Sequence, residues 1–223
     1  MASPRRIGAP DAKNRAVLVD AAEQLMLDEG YAAVTSRRVA AKAGLKPQLV
    51  HYYFRTMDDL FLAMLARQSE AGLERQAKAL ASDRPLRALW ELVTDPGGNV
   101  MTMEFVALAN HRKTIRAEIA RVAEQFRAGQ IEAITQVGER YGLPPDVLVV
   151  LLTGISQVIV HERALGVCTG HERTLALVEE HLRRLEGPAE TAAAEPGQVA
   201  ARQEVGDVAR RQPQLASGDP HVP

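Results

Sequence analysis

One cysteine, Cys168, is present in 223 residues, which excludes an internal disulfide and any multi-cysteine zinc or iron–sulfur centre. As a lone small residue near a helix end, Cys168 is expected to carry no chemistry. Aromatic residues make up 4% of the chain, which speaks against the aromatic-rich strands of a β-sandwich or barrel. No apolar run reaches the ~18 uninterrupted residues of a membrane span, and Val147–Leu152 ends at Thr153 and Gly154. The opening MASPRRIGAPDAKNR has arginines but no apolar stretch behind them, so no signal peptide, no membrane partner and a cytoplasmic location are expected. A charge excess is missing too. With 27 Lys+Arg against 28 Asp+Glu the net charge is −1, so the whole molecule is no generic polycation. Neither a phosphate-cradling glycine loop nor a nucleophile elbow occurs. The triplet His-Glu-Arg stands at His161–Arg163 and again at His171–Arg173, but a zinc-protease motif needs histidine where Leu165 and Leu175 stand. No metal site, cofactor or enzymatic activity is therefore expected.

What is present favours helices. Hydrophobic residues make up 46% and charged residues 25%, values of a globular domain with a proper core, and alanine and leucine dominate. Leu18, Ala21, Ala22, Leu25 and Met26 recur at helical spacing from Lys13 to Glu29, with Gly30 where a left-handed cap belongs. Short helices follow over Ser36–Ala43 and Pro47–Phe54, then a long one from Asp58 to about Leu80 and a short one around Leu86–Val93. Periods near 3.6 continue through Met101–Asn110, Arg112–Val137, Pro145–Leu165 and Glu172–Leu185. The expectation is an all-α chain of about nine helices. Residues 1–12 read as a loose arm, and 187–223, with five prolines and no aromatic residue, read as a disordered tail that cannot offset its ordering entropy.

Residues 34–54 carry the sharpest pattern. Thr35 can cap the first short helix with its hydroxyl, and Val34 and Val39 fall at the positions of a hydrophobic staple. Gly44 permits a sharp turn, and Pro47 suits the first turn of the next helix. Two short helices joined by Gly44-Leu45-Lys46 match a helix-turn-helix, whose second helix enters the DNA major groove. On that helix Val50, Tyr53 and Phe54 face inward with Ala40, Ala43 and Leu45, leaving Lys46, Gln48, His51, Tyr52 and Arg55 outside. This outer face is polar, basic and aromatic, as contact with phosphates and base edges requires. Over residues 1–57 nine cations stand against five acids, about +4 where the whole chain is −1.

The run AVLVDAAEQLMLDEGYAAVTSRRVAAKAGLKPQLVHYYFRTMDDLF resembles the DNA-binding domain of the TetR family of bacterial transcriptional regulators, over roughly residues 13–62. The resemblance implies a three-helix DNA-binding domain over 13–57 and a helical effector-binding and dimerisation domain over 58–186. It implies that Thr35 and Ser36 contact phosphate, and that Arg37 reaches a base or the backbone. Lys46, Pro47, Gln48 and Leu49 would face base edges, with Gln48 able to pair bidentately with adenine, while His51 and Tyr52 meet phosphate or sugar. Three positions depart from the family pattern: Lys46 where serine is common, His51 where tyrosine is common, and Met57 where lysine is usual.

Trp90, Met101, Met103, Phe105, Leu108, Ile115, Ile119, Val122 and Phe126 read first as core residues. By resemblance, a ligand cavity lies among the middle helices, with Trp90, Met101, Phe105, Leu108, Ile119, Val122 and Phe126 as its candidate lining and a lipophilic small molecule as its occupant. Glu104, Asn110, His111 and Arg112 either recognise the head group of such a molecule or form an exposed helix end. The helix over Pro145–Leu165 is apolar on more than one face and needs a partner beyond its own chain. The resemblance implies a homodimer whose interface uses Leu148, Leu151, Leu152, Ile155, Ile159, Leu175, Val178 and Leu182. Its two recognition helices would read a palindromic double-stranded operator as a repressor released by its effector. The competing expectation is an all-helical ligand-binding or enzymatic bundle whose basic helix is incidental.

Overall fold

In the computed structural model, residues 9–95, 99–136 and 142–187 are described. Among them the chain forms nine α-helices and no strand: α1 Ala9–Glu29, α2 Ser36–Lys42, α3 Pro47–Tyr53, α4 Met57–Leu80, α5 Pro85–Thr94, α6 Asn99–Ala109, α7 Lys113–Gln136, α8 Pro145–Ala164 and α9 His171–Glu186. A single 3-10 turn, Tyr31–Ala33, stands between α1 and α2; apolar periodicity gives no sign of so short an element. The expected tail falls outside the described residues beyond Gly187. The arm expected over 1–12 is partly corrected, because α1 already begins at Ala9. Pro10 lies in its first turn, where a missing backbone N–H leaves no intrahelical bond unmade.

Local chemistry sets the boundaries of the N-terminal helices. Gly30 (φ 82°) and Gly44 (φ 66°) adopt left-handed backbone at the ends of α1 and α2, a region that a Cβ disfavours. Thr35 Oγ1 accepts the Arg38 N–H at 3.4 Å, and Val34 and Val39 are both buried, as a staple requires. A full capping box starts α4: Asp59 N–H donates to Thr56 Oγ1 at 3.1 Å, and Thr56 N–H donates to Asp59 Oδ2 at 2.9 Å. The N-terminus of α5 is capped from far along the chain, since the Glu186 carboxylate accepts the N–H groups of Leu86 and Arg87, both at 3.0 Å.

Apolar burial falls into two clusters. The first gathers Leu18, Leu25 and Met26 of α1 with Val39, Val50, Phe54, Phe61 and Met64, and takes in Met101, Phe105 and Leu108 of α6 and Ile115 of α7. The second joins Leu80, Leu86, Leu89 and Trp90 to Ile134, Leu148, Val149, Leu152, Val178 and Leu182. Helices α4 and α7 run through both, and the space between the clusters is only partly filled. Helix α8 alone is long and apolar enough, by length and composition, to cross a membrane among the described residues. Its composition reflects two apolar stripes, one in the second cluster and one exposed at Val147, Val150, Leu151 and Val158.

Candidate functional site

Helices α2 and α3 present one coherent outer face. Val50 and Phe54 are buried and Tyr53 packs against the first cluster, so α3 is oriented by its apolar side. Lys46, Pro47, Gln48, His51, Tyr52 and Arg55 are exposed, Tyr52 by 55%, and Leu49 is half-buried. Thr35, Ser36 and Arg37 at the start of α2 complete the surface, Ser36 half-buried and the other two exposed. The Tyr52 ring is held edge-on against Tyr53, with centroids 5.0 Å apart. The guanidinium of Arg15 lies over the Phe54 ring at 5.2 Å, which places a cation of α1 beside the end of α3.

Ion pairing divides the cations of this segment into two sets. Arg38 pairs with Glu29, and Lys42 Nζ pairs with Asp28 at 3.0 Å, so these two hold α2 against α1. The hydrogen bond from Arg38 holds the Glu29 carboxyl below its ordinary range, and the one from Lys42 does the same for Asp28. Asp20 and Glu23 are engaged in turn by Arg67 of α4. Arg37, Lys46 and Arg55 form no ion pair among the described residues. Asp20, Glu23, Asp28 and Glu29 are thus each taken up by Arg67, Lys42 or Arg38, and the exposed face of α2 and α3 keeps the charges of Arg37, Lys46 and Arg55.

A cavity of about 380 Å³ opens between the two apolar clusters, bounded by α4, α5, α6, α7 and α8. Of its expected lining, Phe105, Ile119, Val122 and Phe126 border it. Trp90 is buried in the second cluster, and Met101 and Leu108 are buried in the first, so these three pack into the walls behind the cavity. Periodicity gave no hint of its polar side: Gln68, Ser69, Arg75 and Gln76 of α4, Arg127 and Gln130 of α7, and Ser156 and Gln157 of α8. Gln130 Nε2 donates to Gln76 Oε1 at 2.7 Å, and Gln76 Nε2 donates to the Phe126 carbonyl at 2.9 Å, which links α4 to α7 across the cavity floor. Gly72 makes room for the Phe126 ring, since a Cβ there would stand 2.8 Å from Cζ.

At the α6–α7 corner Asn110 and His111 are exposed just past the end of α6, as one of the two expectations has it, while Glu104 and Arg112 are half-buried. Glu104 accepts the Tyr31 N–H at 2.6 Å, the His111 ring stacks on Tyr31 with centroids 6.5 Å apart, and Arg112 pairs with Asp58 while lying 5.4 Å from the centre of the Phe61 ring. Glu104, His111 and Arg112 thus hold this corner to Tyr31 and Asp58, and none of the four residues lines the cavity. Helix α6 thus touches the cavity through Thr102, Phe105 and Val106, and the segment bearing α2 and α3 through Glu104.

Most of the expected interface residues pack inside the single chain. Leu148, Leu152, Ile159, Val178 and Leu182 are buried within the chain itself, while Ile155 and Leu175 are half-buried. Of the eight, Leu151 alone is exposed, at 47%. The exposed apolar surface of this region is Val147, Val150, Leu151 and Val158 of α8, with Leu177 of α9. The two His-Glu-Arg triplets meet at its edge, where His171 Nε2 lies 2.6 Å from the Glu162 carboxylate.

Comparison with known proteins follows the same division of the chain. The sequence pattern of "Bacterial regulatory proteins, tetR family" matches residues 18–64. The HTH-type transcriptional regulator BetI of Rhizobium meliloti (strain 1021) is 41% identical over 51 residues, which is 23% of this chain and 25% of that protein. Only a quarter of that relative's length is therefore matched. A TetR transcription regulator from Haloarcula marismortui shares the fold with a TM-score of 0.64 at 19% identity, covering 78% of this chain and 98% of that one. A protein from Saccharomonospora viridis, solved in complex with choline, gives 0.62 at 20% identity over 70% and 87% of the two chains. The multidrug binding protein EbrR, solved with imidazole, gives 0.54 at 23% identity over 85% and 99%.

Proposed function

We propose that the chain, whose residues 18–64 match the sequence pattern of the tetR family, is a sequence-specific transcriptional regulator: a homodimer that represses from a palindromic operator and leaves it when a small, largely apolar molecule enters the cavity. What supports it above all is the outer face of α2 and α3, where Arg37, Lys46 and Arg55 form no ion pair among the described residues and stand beside exposed Gln48, His51 and Tyr52. Lys46 and Arg37 supply charge for phosphates, and the Gln48 amide supplies a donor and an acceptor for a base edge. The protein acts on DNA and so works in the cytoplasm.

The exposed stripe of α8 supports the dimer, because an apolar face of this length on a regulator is covered by a second copy that presents the same face about a two-fold axis. Two copies of α3 would then address two half-sites. The cavity supports the response to a ligand, as do the choline and imidazole bound by two proteins of the same fold. Helix α6 borders the cavity and holds Tyr31 through Glu104, so a molecule that displaces Phe105 or Val106 shifts the seat of the DNA-binding helices. The ligand acts only through its differential affinity for the two arrangements.

Gel retardation of the DNA upstream of the chain's own reading frame tests this. Purified dimer is expected to retard one fragment in the presence of excess unrelated DNA, and Gln48→Ala is expected to lose that selectivity with helix content unchanged. Absence of salt-sensitive retardation on every neighbouring fragment would leave the chain a ligand-binding bundle with an incidental basic helix.

A further inference from the structure

Arg127, one of the residues bordering the cavity, has a donor left over. Nη1 of Arg127 is buried and has no hydrogen-bond partner among the described residues. Other polar groups bordering the cavity are turned to partners within the chain: Gln130 Nε2 donates to Gln76, Gln76 Nε2 to the Phe126 carbonyl, Ser69 Oγ to the Leu65 carbonyl at 2.6 Å, and Ser156 Oγ to the Val93 carbonyl. A buried guanidinium nitrogen without an acceptor is unfavourable, and the side chain's charge makes the missing acceptor an anion by preference. The charged groups bordering the cavity are Arg75, Arg127 and Asp95, a net of about +1, with Asp95 at the exposed rim. The apolar part of the lining is formed by Phe105 and Val106 of α6 and by Ile119, Val122 and Phe126 of α7, the helix that carries Arg127.

We infer that the cavity takes a small monoanion with an apolar body, a carboxylate, whose head oxygen accepts from Nη1 of Arg127 and whose body packs against Phe105, Ile119, Val122 and Phe126. This rests on the proposed function only in treating the cavity as a ligand site. A carboxylate restores a charge-assisted hydrogen bond to the orphaned nitrogen. A neutral head does so more weakly, and an ammonium head meets like charge in a confined space. A volume of about 380 Å³ is near the lower end for ligand pockets, which favours a single short chain or ring over a long lipid.

Octanoate, 1-octanol and octylamine, matched in chain length, serve as probes of the full-length chain by thermal melting and titration calorimetry. Octanoate is expected to bind and raise the melting temperature, 1-octanol to bind more weakly, and octylamine to have no effect. Arg127→Met is expected to melt no lower than the unaltered chain and to bind octanoate at least about tenfold more weakly, down to the level of 1-octanol. If that variant does not fold, Arg127→Gln replaces it with the same expectation. Equal binding of octylamine and octanoate overturns the inference, as does unweakened octanoate binding by the Arg127 variant, or no binding of any of the three. The two claims fail separately: DNA retardation without octanoate binding refutes only the ligand class, and octanoate binding without retardation refutes only the regulator.

Discussion

Replacing Glu104 by alanine removes the carboxylate that accepts the Tyr31 N–H at 2.6 Å and leaves the first donor of the 3-10 turn without its partner. The bond is half-buried and spans 73 positions of sequence, so no neighbouring side chain takes its place. Hydrogen bonds to a charged acceptor contribute about 1.5–3 kcal/mol. For a chain of this size each kcal/mol moves the melting temperature by about 2–4 °C, so alanine is expected to lower it by about 3–12 °C. Glutamine keeps a neutral acceptor at the same place and is expected to recover roughly half of the loss. Thermal melts followed by circular dichroism measure both. The same substitution loosens the grip of α6 on the DNA-binding helices, so the factor by which a ligand weakens DNA binding should shrink while ligand affinity itself holds. A variant that melts within about 1 °C of the unaltered chain and keeps full coupling would refute the role given to this contact.

The two cation sets predict opposite phenotypes. Arg37→Ala is expected to reduce DNA affinity and to flatten the salt dependence by about one unit of log–log slope per copy without lowering stability, whereas Arg38→Ala, which loses only the pair with Glu29, should leave the slope unchanged. Fluorescence anisotropy across salt concentrations separates them. Val150→Glu on the exposed stripe of α8 should yield a folded monomer by light scattering, while Leu148→Glu, buried in the second cluster, should cost more than about 4 kcal/mol and fail to fold. The Glu29 and Asp28 carboxyls titrate below their ordinary range because Arg38 and Lys42 donate to them. A depressed native value means the contribution is complete at neutral pH and is lost as pH falls through that value. The α1–α2 contact therefore weakens only in acid below about pH 4. Arg38→Ala should return the Glu29 titration, read by carboxyl NMR, to the ordinary range; an unchanged titration would contradict the pairing.

The helix-turn-helix was legible because it is written in local chemistry. Thr35, Gly44 and Pro47 mark boundaries within a few residues of themselves, and Val50 and Phe54 set the face of α3 by spacing alone. The leucines of α8 and α9 were legible as buried, but not as to what buries them. Leu148, Leu152, Val178 and Leu182 have the periodicity of any core stripe, and spacing does not distinguish a partner copy from α5 and α7. The cavity was half legible for a related reason. Its apolar wall repeats at helical spacing along α7, whereas Gln76, Arg127, Gln130 and Ser156 come from three helices that only tertiary packing brings together. Glu104, His111 and Arg112 carry no local sign of their partners, which lie 54 or more positions away for the two ion-forming residues.

Hydroxyl-radical footprinting of the upstream DNA with the purified chain tests the central claim most directly. Two protected patches are predicted, centred one helical turn of about 34–36 Å apart or a multiple of it, on sequence related by two-fold symmetry. Both should be lost together in Lys46→Ala or Gln48→Ala variants that remain folded. Uniform protection indifferent to sequence, or protection that survives in those variants, would contradict the assignment of α3 as the reading element.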